Sequence, residues 1–255
     1  MFFRNDSIMQ RVTIFSVAFS LSFVLLCGMT ASAQDQEAPE PDEDGFVAIF
    51  NGENMTGWEG KEGWWNVEDG ALTARSTTER PCVKHNYLMW RGGTAEGDFE
   101  LKLSYKIDGG NSGVQFRSRE LDNWDIEGYQ ADIESGTTWT GCLFEVKVRN
   151  GGVAMRGTRT TTNPDGMQEI EEIGDPEELM GKVKQGEWND YHIIAKGDHV
   201  TLIINGVVMC EAIDRAERRV EPGGMIAFQM HPGPPMVVQF KDVRLKMLNE
   251  EEDEE

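Results

Sequence analysis

Apolar and polar residues alternate with a period of two along most of this chain, and glycine, asparagine or aspartate interrupts each run. Residues 46–50 form a short apolar run that Asn51-Gly52 ends. Residues 64–67 and 71–74 flank Glu68-Asp69-Gly70, a hairpin signal. Residues 98–105 alternate without a break, and Gly109-Gly110-Asn111 turns them into residues 112–117. Further strands are predicted over residues 129–133, 143–148, 191–195, 200–204, 225–230 and 237–245. Asn205-Gly206 reads as a type I′ turn leading into residues 207–209. Only one stretch looks helical: Asp175-Pro176-Glu177-Glu178-Leu179 places Asp at the N-cap, Pro in the first turn and acids beside the helix dipole. That helix should run one or two turns and end near Gly181. Residues 156–174 read as a polar loop. About a dozen short strands, no fixed-period repeat and no Pro/Ser-rich linker predict an all-β fold, a two-sheet jelly-roll sandwich with one short helix.

The two ends change the picture. Arg4 and Arg11 precede the apolar stretch 12–26, and Ala31-Ser32-Ala33 follows as a small-residue cleavage site. Residues 1–33 are therefore expected to be a signal peptide. The mature chain then starts at Gln34, is exported to a periplasmic or extracellular space and has no membrane span. The chain has 255 residues, 24 Lys+Arg against 45 Asp+Glu, and a net charge of -21. Many of those acids lie in two runs without apolar partners: residues 35–44, and 250–255, where every residue is acidic. Residues 34–45 are expected to be a disordered acidic linker, 46–248 a single jelly-roll domain and 249–255 an acidic tail. No basic stretch could neutralise a run of phosphates, which argues against a nucleic-acid partner. Cys82, Cys142 and Cys210 match neither a zinc spacing nor a C-x-x-C motif, and plain buried thiols are expected.

Alternation also assigns faces. Val114 and Phe116 take the core side, so Gln115 and Arg117 point the other way. Ala131 and Ile133 face in, leaving Gln130 and Asp132 on the opposite face. Ile226, Phe228 and Met230 leave Gln229 and His231 outward, and His231 precedes the stiff Pro232-Gly233-Pro234-Pro235 segment. Phe144 and Val146 read as inward, which sends Glu145 and Lys147 out. A polar set of Arg117, Gln130, Asp132, Glu145, Gln229 and His231 would converge if these strands are neighbours, and surface pairs or solvated strand residues are the plainer alternative. Trp139, in the loop 136–141, could stack on a sugar ring or simply anchor its loop. Trp58, Trp64, Trp65 and Trp188 read as core residues. No G-x-S-x-G, H-E-x-x-H, P-loop or dinucleotide-binding fingerprint is present.

Phe50-Asn51-Gly52 with Gly57-Trp58 resembles the opening of the 3-keto-disaccharide hydrolase family. The likeness continues through Trp65-Asn66-Val67-Glu68-Asp69-Gly70, Gly110-Asn111-Ser112-Gly113-Val114 and Gly128-Tyr129-Gln130-Ala131-Asp132. It runs on through Gly186-Glu187-Trp188-Asn189 and Ile226-Ala227-Phe228-Gln229-Met230-His231, and closes with Phe240-Lys241-Asp242-Val243-Arg244-Leu245. Together these motifs span about residues 46–248. Phe144 stands where the family segment more often carries Tyr, so no phenol hydroxyl acts there. The resemblance implies a concanavalin-like jelly roll and a carbohydrate substrate, a glycoside already oxidised at C3, with lyase, hydratase or hydrolase chemistry.

A ketone at C3 acidifies the proton at C2. A base removes it, an enolate forms, the group on C1 leaves, and water adds back. On that chemistry His231 or Asp132 is the expected base, Arg117 the enolate stabiliser and Glu145 the acid. Gln130 and Gln229, with Gln115 and Trp139, are expected to bind the sugar. A divalent metal held by Asp132, Glu145 and His231 could replace Arg117 as stabiliser. The alternative is a non-catalytic carbohydrate-binding module, since the same fold and concave face serve lectins.

Overall fold

The computed structural model describes residues 39–248. The expected signal peptide, the start of the acidic linker and the acidic tail lie outside the described residues. In chain order the strands are β1 (Val47–Ala48), β2 (Trp58–Gly60), β3 (Trp65–Glu68), β4 (Ala71–Ser76), β5 (Asn86–Trp90), β6 (Phe99–Asp108), β7 (Asn111–Leu121), β8 (Asp125–Glu134) and β9 (Leu143–Val146). They continue with β10 (Gly151–Ala154), β11 (Thr158–Thr162), β12 (Gln168–Glu172), β13 (Asn189–Lys196), β14 (His199–Ile204), β15 (Val207–Asp214), β16 (Met225–Met230) and β17 (Met236–Met247). One α-helix, α1 (Pro176–Met180), completes the set with a single 3-10 turn at Asp122–Trp124.

The strands form two sheets. One has the order β10-β9-β8-β7-β16-β5-β2, and every pairing in it is antiparallel. The other has the order β12-β11-β15-β14-β13-β6-β17-β4-β3, with β1 added on β17 and one parallel pairing, β11 with β15. Their inner faces meet in one hydrophobic core. Phe228 of the first sheet is its hinge point. It stacks on Phe240 of the second sheet (centroids 4.0 Å apart, 7° between planes) and on Trp58 of its own sheet (4.9 Å, 12°). Each such ring contributes about 2 kcal/mol by burial alone.

Local signals behave as their chemistry requires. Asn205 and Gly206 both take positive φ (51° and 78°), as a type I′ turn demands. Asp175 Oδ1 accepts the backbone N–H groups of Glu177 and Glu178 at 2.9 and 2.8 Å, and the helix stops at Gly181. Cys82, Cys142 and Cys210 are buried free thiols.

Three expectations need correction, and one strand, β5, was not anticipated. Residues 156–174 hold two strands, β11 and β12, because a run of β-branched threonines pairs with both a neighbour and the parallel β15. Strand β5 carries no alternation at all: its five residues are buried on both faces. Residues 42–46 are a structured turn rather than a disordered linker. Asp42 accepts the N–H groups of Asp44 and Phe46 and pairs with Arg244 at 3.2 Å. Trp58 and Trp65 are core residues, but Trp188 is half-buried under the Lys241 ammonium, 4.5 Å above its ring. Trp64 packs against the core, half-buried, with the Arg80 guanidinium 4.1 Å from its ring.

Candidate active site

The outer face of the seven-stranded sheet is hollowed by a cavity of about 420 Å³. Its walls include Gln130, Asp132 and Glu134 of β8, Gln229 and His231 of β16 and the following loop, Asn111 of β7, His85, and Trp139. Five of the residues expected from sequence therefore share one cavity: Gln130, Asp132, Gln229, His231 and Trp139.

β8 builds the floor. Tyr129, Ala131 and Ile133 face the core, so Gln130, Asp132 and Glu134 project into the cavity. Asp132 is 4% exposed, and Gln130 Nε2 donates to its Oδ1 at 2.5 Å. Burial raises the Asp132 carboxyl to about 8; the Gln130 hydrogen bond opposes this, and the nearby Glu134 carboxylate adds to it. Gly113, opposite Asp132 on β7, leaves the room for this arrangement. A Cβ there would sit 2.5 Å from Gln130 Cγ.

Gln115 is fully buried behind Gln130 rather than open to a ligand. Its Nε2 donates to Gln130 Oε1 at 2.5 Å, and its own Oε1 accepts from Ser118 Oγ at 3.2 Å. The expectation that Gln115 touches substrate is thereby corrected.

His231 is half-buried, and its Nδ1 lies 2.6 Å from the Pro232 carbonyl oxygen. A carbonyl only accepts, so Nδ1 carries a proton, and in the neutral ring Nε2 is the nitrogen with the lone pair. The ring of His85 stands edge-on to it, with centroids 4.8 Å apart. Burial and the His231 ring hold the His85 imidazole below its ordinary value. Gln229 Nε2 lies 3.2 Å from His85 Nδ1 and donates to Tyr87 Oη at 3.3 Å, while its buried Oε1 has no partner. Burial first raises the Tyr87 phenol to about 12, so it stays neutral.

Trp139 is 36% exposed and meets Phe144 edge-on at 6.2 Å. Its loop is fastened from both sides. Glu134 Oε1 accepts the N–H groups of Thr138 and Trp139. From below, buried Arg156 donates to the carbonyls of Thr137 (2.6 Å) and Thr140 (2.5 Å).

Two expected residues stand elsewhere. Arg117 takes φ 45° in a bulge where the β7–β8 register slips between Phe116 and Arg119. The extra residue turns its side chain off the cavity face and across to the other sheet. There it donates to the carbonyls of Gly197 (2.7 Å) and Gly97 (3.3 Å) and pairs with Asp98 at 3.3 Å. Glu145 also faces the core. The apolar Phe144 and Val146 line the cavity instead, which reverses the face read from their hydrophobicity. Glu145 accepts the N–H groups of Arg149 and Asn150 and the Arg149 side chain, and Arg149 in turn pairs with Asp214 of β15. With Glu145 on the opposite face, Asp132, Glu145 and His231 cannot close on one ion. Among the described residues no group of three or more His, Cys, Asp or Glu is placed to hold a metal.

Sequence reasoning missed His85, Tyr87, Asn111, Glu134, Ser118 and Arg156. Glu134 was readable as the next outward residue after Asp132. Tyr87 belongs to the strand without alternation, and His85 immediately precedes it.

The family model of the 3-keto-alpha-glucoside-1,2-lyase-like domain matches residues 45–246. The chain belongs to that family. A curated relative from Bacteroides thetaiotaomicron, a 3-keto-disaccharide hydrolase, is 29% identical over 119 residues, covering 39% of this chain. That match spans only 37% of the relative's own length. Among solved structures, a Parabacteroides distasonis protein described as a candidate glycosyl hydrolase aligns with a TM-score of 0.51 at 20% identity, over 80% of this chain and 99% of that one. A Bacillus subtilis protein of unknown function with a galectin-like fold aligns with a TM-score of 0.51 at 13% identity, over 82% and 94%. These two likenesses establish the fold, the lectin-like jelly roll expected from the strand pattern. Among the described residues no helix is long and apolar enough to cross a membrane.

Proposed function

We propose that the cavity cleaves glycosides carrying a ketone at C3, by removal of the C2 proton and elimination of the group on C1. The observation that carries this reading is one cavity that holds an imidazole and a buried carboxyl in complementary roles. His231 is held by its Nδ1 and has Nε2 left over for a substrate proton, and Asp132, raised to about 8, stays mostly protonated. A protonated carboxyl and an imidazole nitrogen that can take up a proton are the acid and the base that the elimination needs.

His231 Nε2 takes the C2 proton. Asp132 accepts Gln130 on Oδ1, leaving its other oxygen to deliver a proton to the departing glycosidic oxygen. This gives Asp132 the acid role expected of Glu145. With Arg117 elsewhere, the enolate oxygen falls to neutral donors: the second N–H of Gln130 and the amide of Asn111. The orphan Gln229 Oε1 accepts from a sugar hydroxyl, and the exposed Trp139 ring packs on a C–H face. Water then adds to the unsaturated keto sugar. The membership in a keto-glucoside lyase-like family and the name of the curated relative support the substrate class. The leader-like residues 1–33 support export to a periplasmic or extracellular space.

The test is incubation with a 3-keto disaccharide and with its unoxidised parent, in deuterated water, followed by mass spectrometry. Release from the keto sugar alone, with deuterium entering at C2, is the expected result. A second reading, a carbohydrate-binding module, draws on the exposed Trp139 and the unpaired Gln229 carbonyl. Binding of both sugars without release would establish it instead.

A further inference from the structure

Four side chains line up beneath the cavity: Gln115 donates to Gln130 and Gln130 to Asp132, and Ser118 Oγ divides its one proton between the Phe116 carbonyl oxygen (2.9 Å) and Gln115 Oε1 (3.2 Å). An amide has one acceptor end and one donor end, so each link fixes the next. With Gln115 Oε1 toward the Ser118 hydroxyl, the Gln115 nitrogen faces Gln130. Because that nitrogen donates to Gln130 Oε1, the Gln130 nitrogen must face Asp132. The chain is walled in rather than incidental. A Cβ at Gly128 would lie 2.3 Å from Ser118 Oγ, one at Gly224 would lie 2.6 Å from the Ser118 carbonyl oxygen, and one at Gly113 would strike Gln130. All four members are at least 95% buried, where an amide facing the wrong way meets like against like and costs a full unsatisfied group.

We propose that Gln115 is a positioning residue that never meets substrate. By locking the Gln130 amide with its nitrogen toward Asp132, it holds down the proton affinity of that carboxyl. Without the lock, Gln130 is free to turn its carbonyl to Asp132, which accepts that partner only when protonated. The bulge at Arg117 and Ser118 then has a purpose in the cavity, since it brings the Ser118 hydroxyl to the start of the chain. Other groups around Asp132 are Glu134 on its own strand, His231 beyond β16, His85 across the cavity, Cys142 in the loop behind it, and Tyr191 and Cys210 of the facing sheet. None of them contacts Gln115 through a hydrogen bond. The consequence for catalysis rests on reading Asp132 as the acid, whereas the positioning itself does not.

The test is a carbon-13 carboxyl titration of the aspartate-labelled full chain, with Asp132→Asn to assign the resonance. Gln115→Met keeps the volume and removes both polar ends. Its expected effect is an upward move of the Asp132 midpoint by about one to two pH units. Ser118→Ala, a smaller change, should move the midpoint the same way by less. Thermal melts establish that each variant is folded, and Ser118→Ala carries the test if Gln115→Met does not fold. An unmoved midpoint in the folded variants would overturn the proposal. The pH profile of keto-sugar cleavage separates it from the functional reading. If the midpoint moves and the alkaline limb of the profile moves with it, both hold. If the midpoint moves while the profile stays, Gln115 positions Asp132 but Asp132 is not the acid.

Discussion

Glu134 holds Trp139 over the cavity: its Oε1 accepts the Trp139 backbone N–H at 2.7 Å. The acid therefore serves a loop, and the loop's aromatic ring forms part of the rim. Trp139→Ala should raise KM for a 3-keto disaccharide about tenfold, equivalent to roughly 1–2 kcal/mol of lost packing, with kcat changed little. Steady-state kinetics of the variant and wild type decide this. An unchanged KM would make Trp139 an anchor of its loop alone.

The Asp132 carboxyl gives the pH dependence a definite sign. As an acid it acts while protonated, so kcat/KM should fall as pH rises through about 8. A rise through the same pH would assign it as the base. Stability follows the same group. A raised carboxyl contributes stability that is fully present below its unfolded value of 3.8 and is lost as pH climbs through about 8. Asp132→Asn lacks this dependence. Its melting temperature should therefore gain on wild type steadily between pH 4 and pH 9, while keto-sugar cleavage drops on the order of 100-fold or more.

Glu134 also carries a charge toward Asp132, and that charge pushes the carboxyl upward. Glu134→Gln should then move the alkaline limb of the pH profile down. The same change weakens acceptance of the Thr138 and Trp139 N–H groups, so KM should rise alongside. A limb displaced upward would contradict the sign of this coupling.

Gly113→Ala tests the floor. The added methyl falls 2.5 Å from Gln130 Cγ and 2.9 Å from its Nε2, in a region with no slack. Overpacking of this kind costs about 1–3 kcal/mol. The expected outcome is a folded protein with a lower melting temperature and at least a tenfold loss of kcat/KM, since Gln130 must leave Asp132 to make room. Full activity would show that the Gln130 contact is dispensable.

Glu145→Ala separates a latch from a catalyst. Its carboxylate is buried between the sheets and bound to Arg149, which also grips Asp214. Removing it should cost on the order of 3 kcal/mol, read in a denaturant melt. Keto-sugar cleavage by the folded fraction should fall far less than in Asp132→Asn. Loss of cleavage at unchanged stability would return Glu145 to the role of acid.

Much of the fold was legible because alternation survives wherever one strand face is apolar and the other polar. The turn at Asn205-Gly206 and the cap at Asp175 were readable for the same reason, each being local chemistry. Gln130, Asp132, Gln229 and His231 were placed correctly on the outer face by their apolar neighbours. The failures share one cause: apolar residues also line the cavity. Phe144 and Val146 do so, and the phase of β9 was read backwards. Tyr87 and Met89 sit under a second apolar cluster on that same outer face, which erased the alternation of β5 and hid His85 beside it. Arg117 was lost to a slip of one residue that no periodicity announces.

That slip behaves like a phase change in a repeating signal. Up to Phe116, odd positions of β7 look toward the cavity. Beyond the bulge the parity is shifted, and the guanidinium of Arg117 spends its charge on Asp98 and two carbonyls of the facing sheet. Deleting Ser118 would restore the regular count and swing a permanent cation onto the outer face of the sheet. One surplus residue in a strand thus moves a fixed positive charge from the outer face to the facing sheet.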